Sequence, residues 1–451
     1  MSLSRLLAAR AAEDRPVRVG LIGAGKFGSM YLAQARRTPG VHLVGVADVA
    51  IERARDALSR TGWPPEQAAA PSFEAALTRG GTYLTDDAGQ LIASDAVDLV
   101  IEATGSPAAG IHHALLCCRH GRDVIMVNVE ADALVGPLLA RRAAEAGIVY
   151  SLAYGDQPSL ICELVDWART IGMEVVCAGK GTKYLPEYHA STPDTVWRYY
   201  GFSEEQIATG DFNAKMFNSF LDGTKSAIEM AAVANATGLI PDPRGLRFPP
   251  ASVYDLPQVC RPRSVGGTLE QAGTLEVVSS LHRDGRPVAH DLRWGVYVTF
   301  AAGSAYVKDC FSQYGLITDA TGQYAALYRP VHLIGLELGI SVASVALRRE
   351  ATGTPETFQG DVVAVAKRDL GPGEQLDGEG GYTVHGRLMQ ATDSLATGCL
   401  PIGLAQRCIV VNSVRAGDIV KWQDVRMDET GEAVRVRREM EALFRIAPEI
   451  V

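Results

Sequence analysis

Two sets of residues carry chemistry that their spacing makes specific. The first is the loop Gly23-Ala-Gly25-Lys26-Phe27-Gly28, with a buried-strand pattern (VRVGLIG) before it, a helical pattern (SMYLAQARR) after it, and Asp48 about twenty residues on at the end of the next apolar run. In that context one glycine permits a tight turn. Another lets the main chain approach a pyrophosphate, and the third lets helix and strand pack. The N–H groups opening the helix then hold the phosphates. Asp48 is placed to bond ribose hydroxyls, which favours NAD; Lys26, Arg53 and Arg55 are near enough in sequence to admit the 2′-phosphate of NADP. Thr104-Gly105-Ser106 and Asn128 follow later strands, on the carboxyl edge where open parallel sheets bind ligands.

The second set is a polar stripe in DFNAKMFNSFLDGTKSAIEMAAVANATG. Asp211, Lys215, Asn218, Asp222, Lys225 and Glu229 recur at spacings of 4, 3, 4, 3 and 4. On one helix they share an arc of ~80°, while Met216, Phe217, Phe220, Ile228 and Met230 lie on the apolar remainder. Such a stripe is either a solvated face with ion pairs one turn apart or the wall of a wet cleft. The wide apolar arc favours the cleft. Asp222 and Lys225 then form a carboxylate–ammonium unit able to pass a proton to a carbonyl oxygen at the nicotinamide.

Weaker candidates surround these. Lys180 and Lys183 in AGKGTKYLPEYH suit an anionic substrate group or a solvated loop. Glu130 and Asp132 are acid–base or divalent-metal candidates, or simply the acidic first turn of a helix. Arg329 and His332 introduce a later apolar helix, where the arginine suits a phosphate and the histidine suits packing.

These residues must be carried by several domains, since 451 residues exceed one ordinary core. Up to about residue 155, apolar runs at 17–23, 41–48, 97–105, 123–130 and 147–155 alternate with helical patterns. This predicts a doubly wound parallel sheet, preceded by a short amphipathic helix. Residues 156–352 read as an α+β domain, with helices near 157–171 and 213–237. Residues 353–451 read as a small β-rich module, because VVAVAKRDLGPGEQLDGEGGYTV and CIVVNSVRAGDIVKWQDVRMD resemble each other.

Composition excludes several classes. The net charge of −9 argues against a generic nucleic-acid binder, and no apolar run reaches membrane-spanning length. Eight cysteines without CxxC spacing read as reduced thiols, and the charged N-terminus is unlike an export signal, so a cytoplasmic setting is expected.

The runs RVGLIGAGKFGSMYLAQARR, VDLVIEATGSPAAG, MVNVEADALVG, FNSFLDGTKSAIEMAAVANATGL and YRPVHLIGLELGISV together resemble homoserine-dehydrogenase-like oxidoreductases with a C-terminal SAF domain. Among these the chain is most similar to the deoxyxylulose-5-phosphate-reductoisomerase-like (DRL) enzymes. The resemblance implies a Rossmann domain, a homoserine-dehydrogenase-like central domain and a SAF module. It also implies a homodimer or higher homo-oligomer. The implied reaction is NADPH-dependent conversion of 1-deoxy-D-xylulose 5-phosphate into 2-C-methyl-D-erythritol 4-phosphate, for isoprenoid synthesis. Asp222 and Lys225 resemble the aspartate–lysine pair of such dehydrogenases. A phosphorylated substrate would draw on Lys180, Lys183, Lys215 and Arg329. A divalent ion such as Mg would draw on Glu130, Asp211, Asp222 or Glu229. Two other readings stand beside this one: an NAD(P) dehydrogenase of a sugar acid, polyol or homoserine-like compound, and a non-catalytic sensor of dinucleotide or carbohydrate.

Overall fold

The computed structural model describes residues 2–209 and 212–446, so Asp211 of the polar stripe lies outside the described residues. The chain folds into two compact units: residues 1–160 with 332–356, and residues 161–331 with 357–451.

In the first unit six parallel strands take the order β3-β2-β1-β4-β5-β6, with β1 Val17–Ile22, β2 Val41–Ala47, β3 Tyr83–Thr85, β4 Leu99–Glu102, β5 Asp123–Met126 and β6 Tyr150–Leu152. The order reverses between β1 and β4, which opens a crevice at the carboxyl ends of those strands. The apolar runs form strands because both faces are covered: β1, β4, β5 and β6 are buried almost throughout. Five of the six strands lie in runs read from the sequence; β3, three residues long, carried too little pattern. The run at 123–130 ends sooner than its composition suggests, since Asn128 caps the helix Val129–Glu145 with its side chain.

The boundaries differ from three consecutive segments. Residues 332–356 return to the first unit, because Leu338, Val342, Ala343 and Val345 of that stretch pack in one core with Leu21, Leu99 and Ile125. Arg349 pairs there with Asp123, and Leu152 N–H donates to the Gly353 carbonyl (2.7 Å).

The second unit holds a mixed sheet of order β10-β11-β9-β7-β8, with β7 Glu174–Thr182, β8 Thr274–Ser279, β9 Val296–Ala301, β10 Ile317–Thr318 and β11 Tyr324–Arg329. Residues 357–451 belong to this unit instead of standing alone. Asn235 supplies one reason: its Oδ1 accepts both the Gln359 and Gly360 N–H groups at 2.9 Å. Within the C-terminal stretch, β12 Gly360–Ala366 pairs with β14 Val384–Gln390, and β13 Gln375–Asp377 lies beside β15 Gln406–Val410 and β16 Val425–Arg426. The two similar half-motifs bond each other: Leu370 and Val414 exchange both main-chain hydrogen bonds, at 2.8 and 3.0 Å.

Candidate functional site

The glycine loop of the first unit has the form a dinucleotide needs. Gly23 has φ +97°, and a Cβ there would lie 2.6 Å from the Ala103 carbonyl oxygen; a Cβ on Gly28 would lie 2.2 Å from that of Gly23. Those two glycines are therefore consumed by the turn and by the packing of helix Lys26–Ala35. Beside Gly25 there is open space, and Gly25 and Lys26 are exposed while Phe27 is partly covered. This is the cradle that a pyrophosphate fills, and these residues fit an NAD(P) cofactor.

Asp48 does something other than wait for a ribose. Its Oδ2 accepts the Ala24 N–H (2.8 Å) and Arg53 Nε (3.0 Å); its Oδ1 accepts the Ala50 N–H (2.9 Å) and Arg53 Nη2 (2.6 Å). Four donors saturate the carboxylate, and its side chain is wholly buried. Burial pushes its pKa up, but Arg53 and the two amides together hold it below the usual carboxylate range. The group presented at the end of β2 is thus the half-exposed Arg53 guanidinium, and Asp48 braces the glycine loop from beneath.

At the ends of β4 and β5 the residues expected together are together. Thr104, Gly105 and Ser106 form an exposed loop. Asn128 is buried, and its Nδ2 donates to the Ser106 carbonyl (2.8 Å) and Thr104 Oγ1 (3.3 Å) while its Oδ1 accepts the Ala131 N–H. Its amide is spent on ties, so it positions the loop and does not itself face a ligand. Glu102, overlooked in the sequence because it lies inside the strand pattern, is fully buried; it accepts from Thr104 Oγ1 and from His113 Nδ1 (3.2 Å). Glu130 is partly buried in the first helical turn, as its helix-start reading expects, whereas Asp132 is fully buried. Burial raises the Asp132 carboxyl to about 7 against the opposing Tyr150 hydroxyl bond (2.9 Å).

In the second unit the polar stripe is not one helix. The chain forms Ala214–Leu221 and Thr224–Thr237, broken at Asp222-Gly223, where Gly223 takes φ +87°. Asp222, the C-cap of the first helix, accepts the Thr224 N–H at its Oδ1 (2.9 Å) and so braces the turn between the two helices. The Asp-Gly pair was the signal for this break. The common arc of six residues therefore fails as a geometric premise. The second helix is buried nearly throughout, as the wide apolar arc predicts, but Met216 and Phe220 of the first are exposed.

Asp222 does not pair with Lys225. Its partner is Lys367 (Nζ–Oδ2 2.7 Å), whose ammonium also donates to the carbonyls of Ser191 (2.7 Å) and Gly381 (2.8 Å). Even so, burial holds the Asp222 carboxyl above its ordinary value, outweighing the ammonium. His189 packs on the same turn. Its Nδ1 donates to the Asp222 main-chain carbonyl (2.7 Å), which leaves Nε2 to accept from the Tyr184 hydroxyl (2.9 Å). The His189 ring stacks on His385 at 4.6 Å; burial, then the His189 and Lys367 charges, push His385 down to about 3. Tyr184, His189, Lys367 and His385 form a cluster that local spacing cannot reveal, because Lys367 and Ser191 are 176 residues apart.

The remaining candidates separate. Lys180 is buried and spent on Glu229, so neither is available for a phosphate or a metal. Lys215 donates to the Asp377 carbonyl (3.1 Å) and is exposed. Asn218 is buried and bonded to Ser191 and to the Gly380 carbonyl (3.0 Å). Arg329 ends β11 in the second unit, while His332 begins the stretch that returns to the first. Lys225 is half-buried one turn before Glu229. Lys183 is half-buried beyond the end of β7 and donates to the Tyr199 carbonyl. Among the described residues no three His, Cys, Asp or Glu side chains assemble as a metal site, and Asp211 of the set considered for Mg lies outside the described residues. None of the described helices is long and apolar enough to cross a membrane.

Comparison with known proteins gives two matches to family models. Residues 17–126 match the NAD-binding Rossmann fold of the GFO/IDH/MocA oxidoreductase family, and residues 155–338 match the catalytic domain of oxidoreductase DRL. Among curated proteins none matches. Similar solved structures include an NAD-binding oxidoreductase from Klebsiella pneumoniae, at 18% identity over 39% of this chain and 47% of that one, with a TM-score of 0.28. Oxidoreductase YvaA from Bacillus subtilis aligns at 12% identity over 75% of this chain and 91% of that one, TM-score 0.38. The WlbA dehydrogenase from Bordetella pertussis, solved with NADH and UDP-GlcNAcA, aligns at 18% identity over 39% and 49%, TM-score 0.28. The chain spans about half the length of the Klebsiella and Bordetella proteins. Both matched models are of oxidoreductases, one for the NAD-binding Rossmann fold and one for a catalytic domain.

Proposed function

We propose that the protein is an NAD(P)-dependent dehydrogenase that interconverts a hydroxyl and a carbonyl on a small polyhydroxylated substrate such as a sugar acid or polyol. The carrying observation is the glycine loop braced by Asp48, with open space at Gly25 and the Arg53 guanidinium at the end of β2. That guanidinium offers two hydrogen bonds and a charge to a 2′-phosphate, which supports NADP over NAD. A bound nicotinamide supplies or accepts the hydride. The protein holds the pyrophosphate on the Gly25–Gly28 amides and shapes the nicotinamide end with Thr104–Ser106. On its residue type and sequence position alone, Lys225 is the candidate for moving the proton at the substrate oxygen, as an ammonium giving it up in reduction and an amine taking it in oxidation. Lys367 and His189 position the Asp222 turn from which the Lys225 helix starts.

The DRL catalytic-domain match over 155–338 favours a second reading, reductoisomerisation of a phosphorylated hydroxyketone. The two readings part in one experiment: turnover of 1-deoxy-D-xylulose 5-phosphate with NADPH against a panel of sugar acids and polyols with NADP and NAD. Lys225→Ala is expected to cut turnover about 10²–10⁴-fold with NADPH binding kept. Turnover unchanged by that substitution removes Lys225 from the mechanism. NADPH binding without turnover of any of these compounds favours the sensing role.

A further inference from the structure

The second unit carries a pair of positive side chains that the cluster at Asp222 does not use. At the end of β7, a Cβ on Gly181 would lie 1.9 Å from the Leu292 carbonyl oxygen and 2.9 Å from the Arg293 nitrogen, and Gly181 N–H donates to the Gly295 carbonyl (3.1 Å). Only glycine allows this approach, and it sets Arg293 beside the turn that carries Lys183. Neither cation has a carboxylate partner among the described residues. Lys183 donates to the Tyr199 carbonyl, and its ammonium stands 5.5 Å from the centre of the Tyr200 ring. The Arg293 guanidinium lies over Trp294 at 4.7 Å. Nearby acids are otherwise engaged. Asp291 accepts the Arg293 main-chain N–H (2.7 Å), and Asp222 is taken by Lys367. Glu187 bears on the Tyr188 and Tyr184 hydroxyls.

Two like charges held together without a counter-ion repel. Burial, and then the charge of Arg293, keep Lys183 below the ordinary lysine range, and the same guanidinium acts on the hydroxyls of Tyr188 and Tyr200. Elsewhere in this unit buried cations are matched: Lys180 with Glu229, Lys367 with Asp222, Arg261 with Asp319 and Arg437 with Asp361. An unmatched pair beside three tyrosines is complementary to an anion.

We propose that Lys183 and Arg293 form an anion subsite that takes the phosphate or carboxylate of the substrate, making the preferred substrate an anionic polyol derivative. The anion binding stands alone; its assignment to a substrate rests on the oxidoreductase reading. The test is calorimetric titration of the full chain, without dinucleotide and at low ionic strength, with inorganic phosphate and separately with malonate. At least one is expected to bind, with Arg293→Gln and Lys183→Gln each weakening it tenfold or more, Arg293→Lys weakening it less, and affinity falling as rising pH deprotonates Lys183. Phosphate alone indicates a phosphorylated substrate, malonate alone a carboxylated one. No binding of either anion, or isotherms unchanged in the glutamine variants (an anion held elsewhere, as at the glycine loop), overturns the proposal. Should Arg293→Gln not fold, Lys183→Gln with Arg293→Lys decides. NADPH binding, followed by its fluorescence, is measured on the same proteins. Its loss in the wild type counts against the oxidoreductase reading and leaves the subsite standing.

Discussion

Asp48 and Asp222 are both buried carboxylates that accept a main-chain N–H two residues on, yet they are neutralised in opposite ways. Asp48 takes its four hydrogen bonds from Ala24, Ala50 and Arg53, all within the first half of one Rossmann sheet, and its pKa is net lowered. Asp222 takes one bond from Thr224 and its charge partner from Lys367 in the C-terminal stretch, and its pKa is net raised although that ammonium is 2.7 Å away. A carboxylate served by several short-range donors, with a half-exposed arginine over it, can sit at the base of a ligand site. One sealed by a single distant lysine holds parts of the chain together.

The comparison breaks most sharply at Lys367. Lys367→Met leaves an uncompensated carboxylate in a dry turn and is expected to cost about 3–5 kcal/mol of stability, whereas Arg53→Met, at a half-exposed partner, costs less than ~1 kcal/mol. Denaturation midpoints of the two variants check this, and equal losses would remove the distinction. Adding Asp222→Asn to Lys367→Met is expected to recover part of the loss.

A smaller effect is expected at the cofactor. Arg53→Ala removes the charge facing a 2′-phosphate and releases Asp48 toward the ribose hydroxyls. The KM for NADPH should rise roughly tenfold, about 1.4 kcal/mol, with that for NADH unchanged or lower. A KM ratio that stays fixed would leave Asp48 and Arg53 as a brace alone.

The smallest effect is one of pH, at a third buried acid. Asp132 is raised to about 7 when folded and is an ordinary aspartate when unfolded. The native state therefore holds the extra proton, and stability contributed below the unfolded pKa is lost as pH rises through about 7. Asp132→Asn is expected to flatten that decline, so its Tm should exceed the wild-type value by a few degrees at pH 8 and match it near pH 4. Parallel Tm profiles would show that the carboxyl stays ionised.

Much of the first unit was legible because its signals are local. The strand runs, the glycine spacing and the carboxyl-edge loops each reside in a few consecutive residues, and a sheet buried on both faces writes itself as apolar runs. The stripe at 211–229 misled because helical spacing was counted through Asp222-Gly223, a turn dipeptide whose glycine takes a left-handed conformation. Lys183 was legible as a cation on a glycine-rich turn, but its neighbour Arg293 was not, since only the close approach at Gly181 joins them.

The amino-acid order by itself determined the parallel sheet, its dinucleotide loop and the buried character of the helix at 224–237, for these follow from periodicity and from what glycine alone permits. Tertiary structure alone decided which charges are spent and which remain. A buried cation takes whichever carboxylate the fold carries to it, so Lys180 found Glu229, Asp222 found Lys367, and Lys183 with Arg293 found none among the described residues.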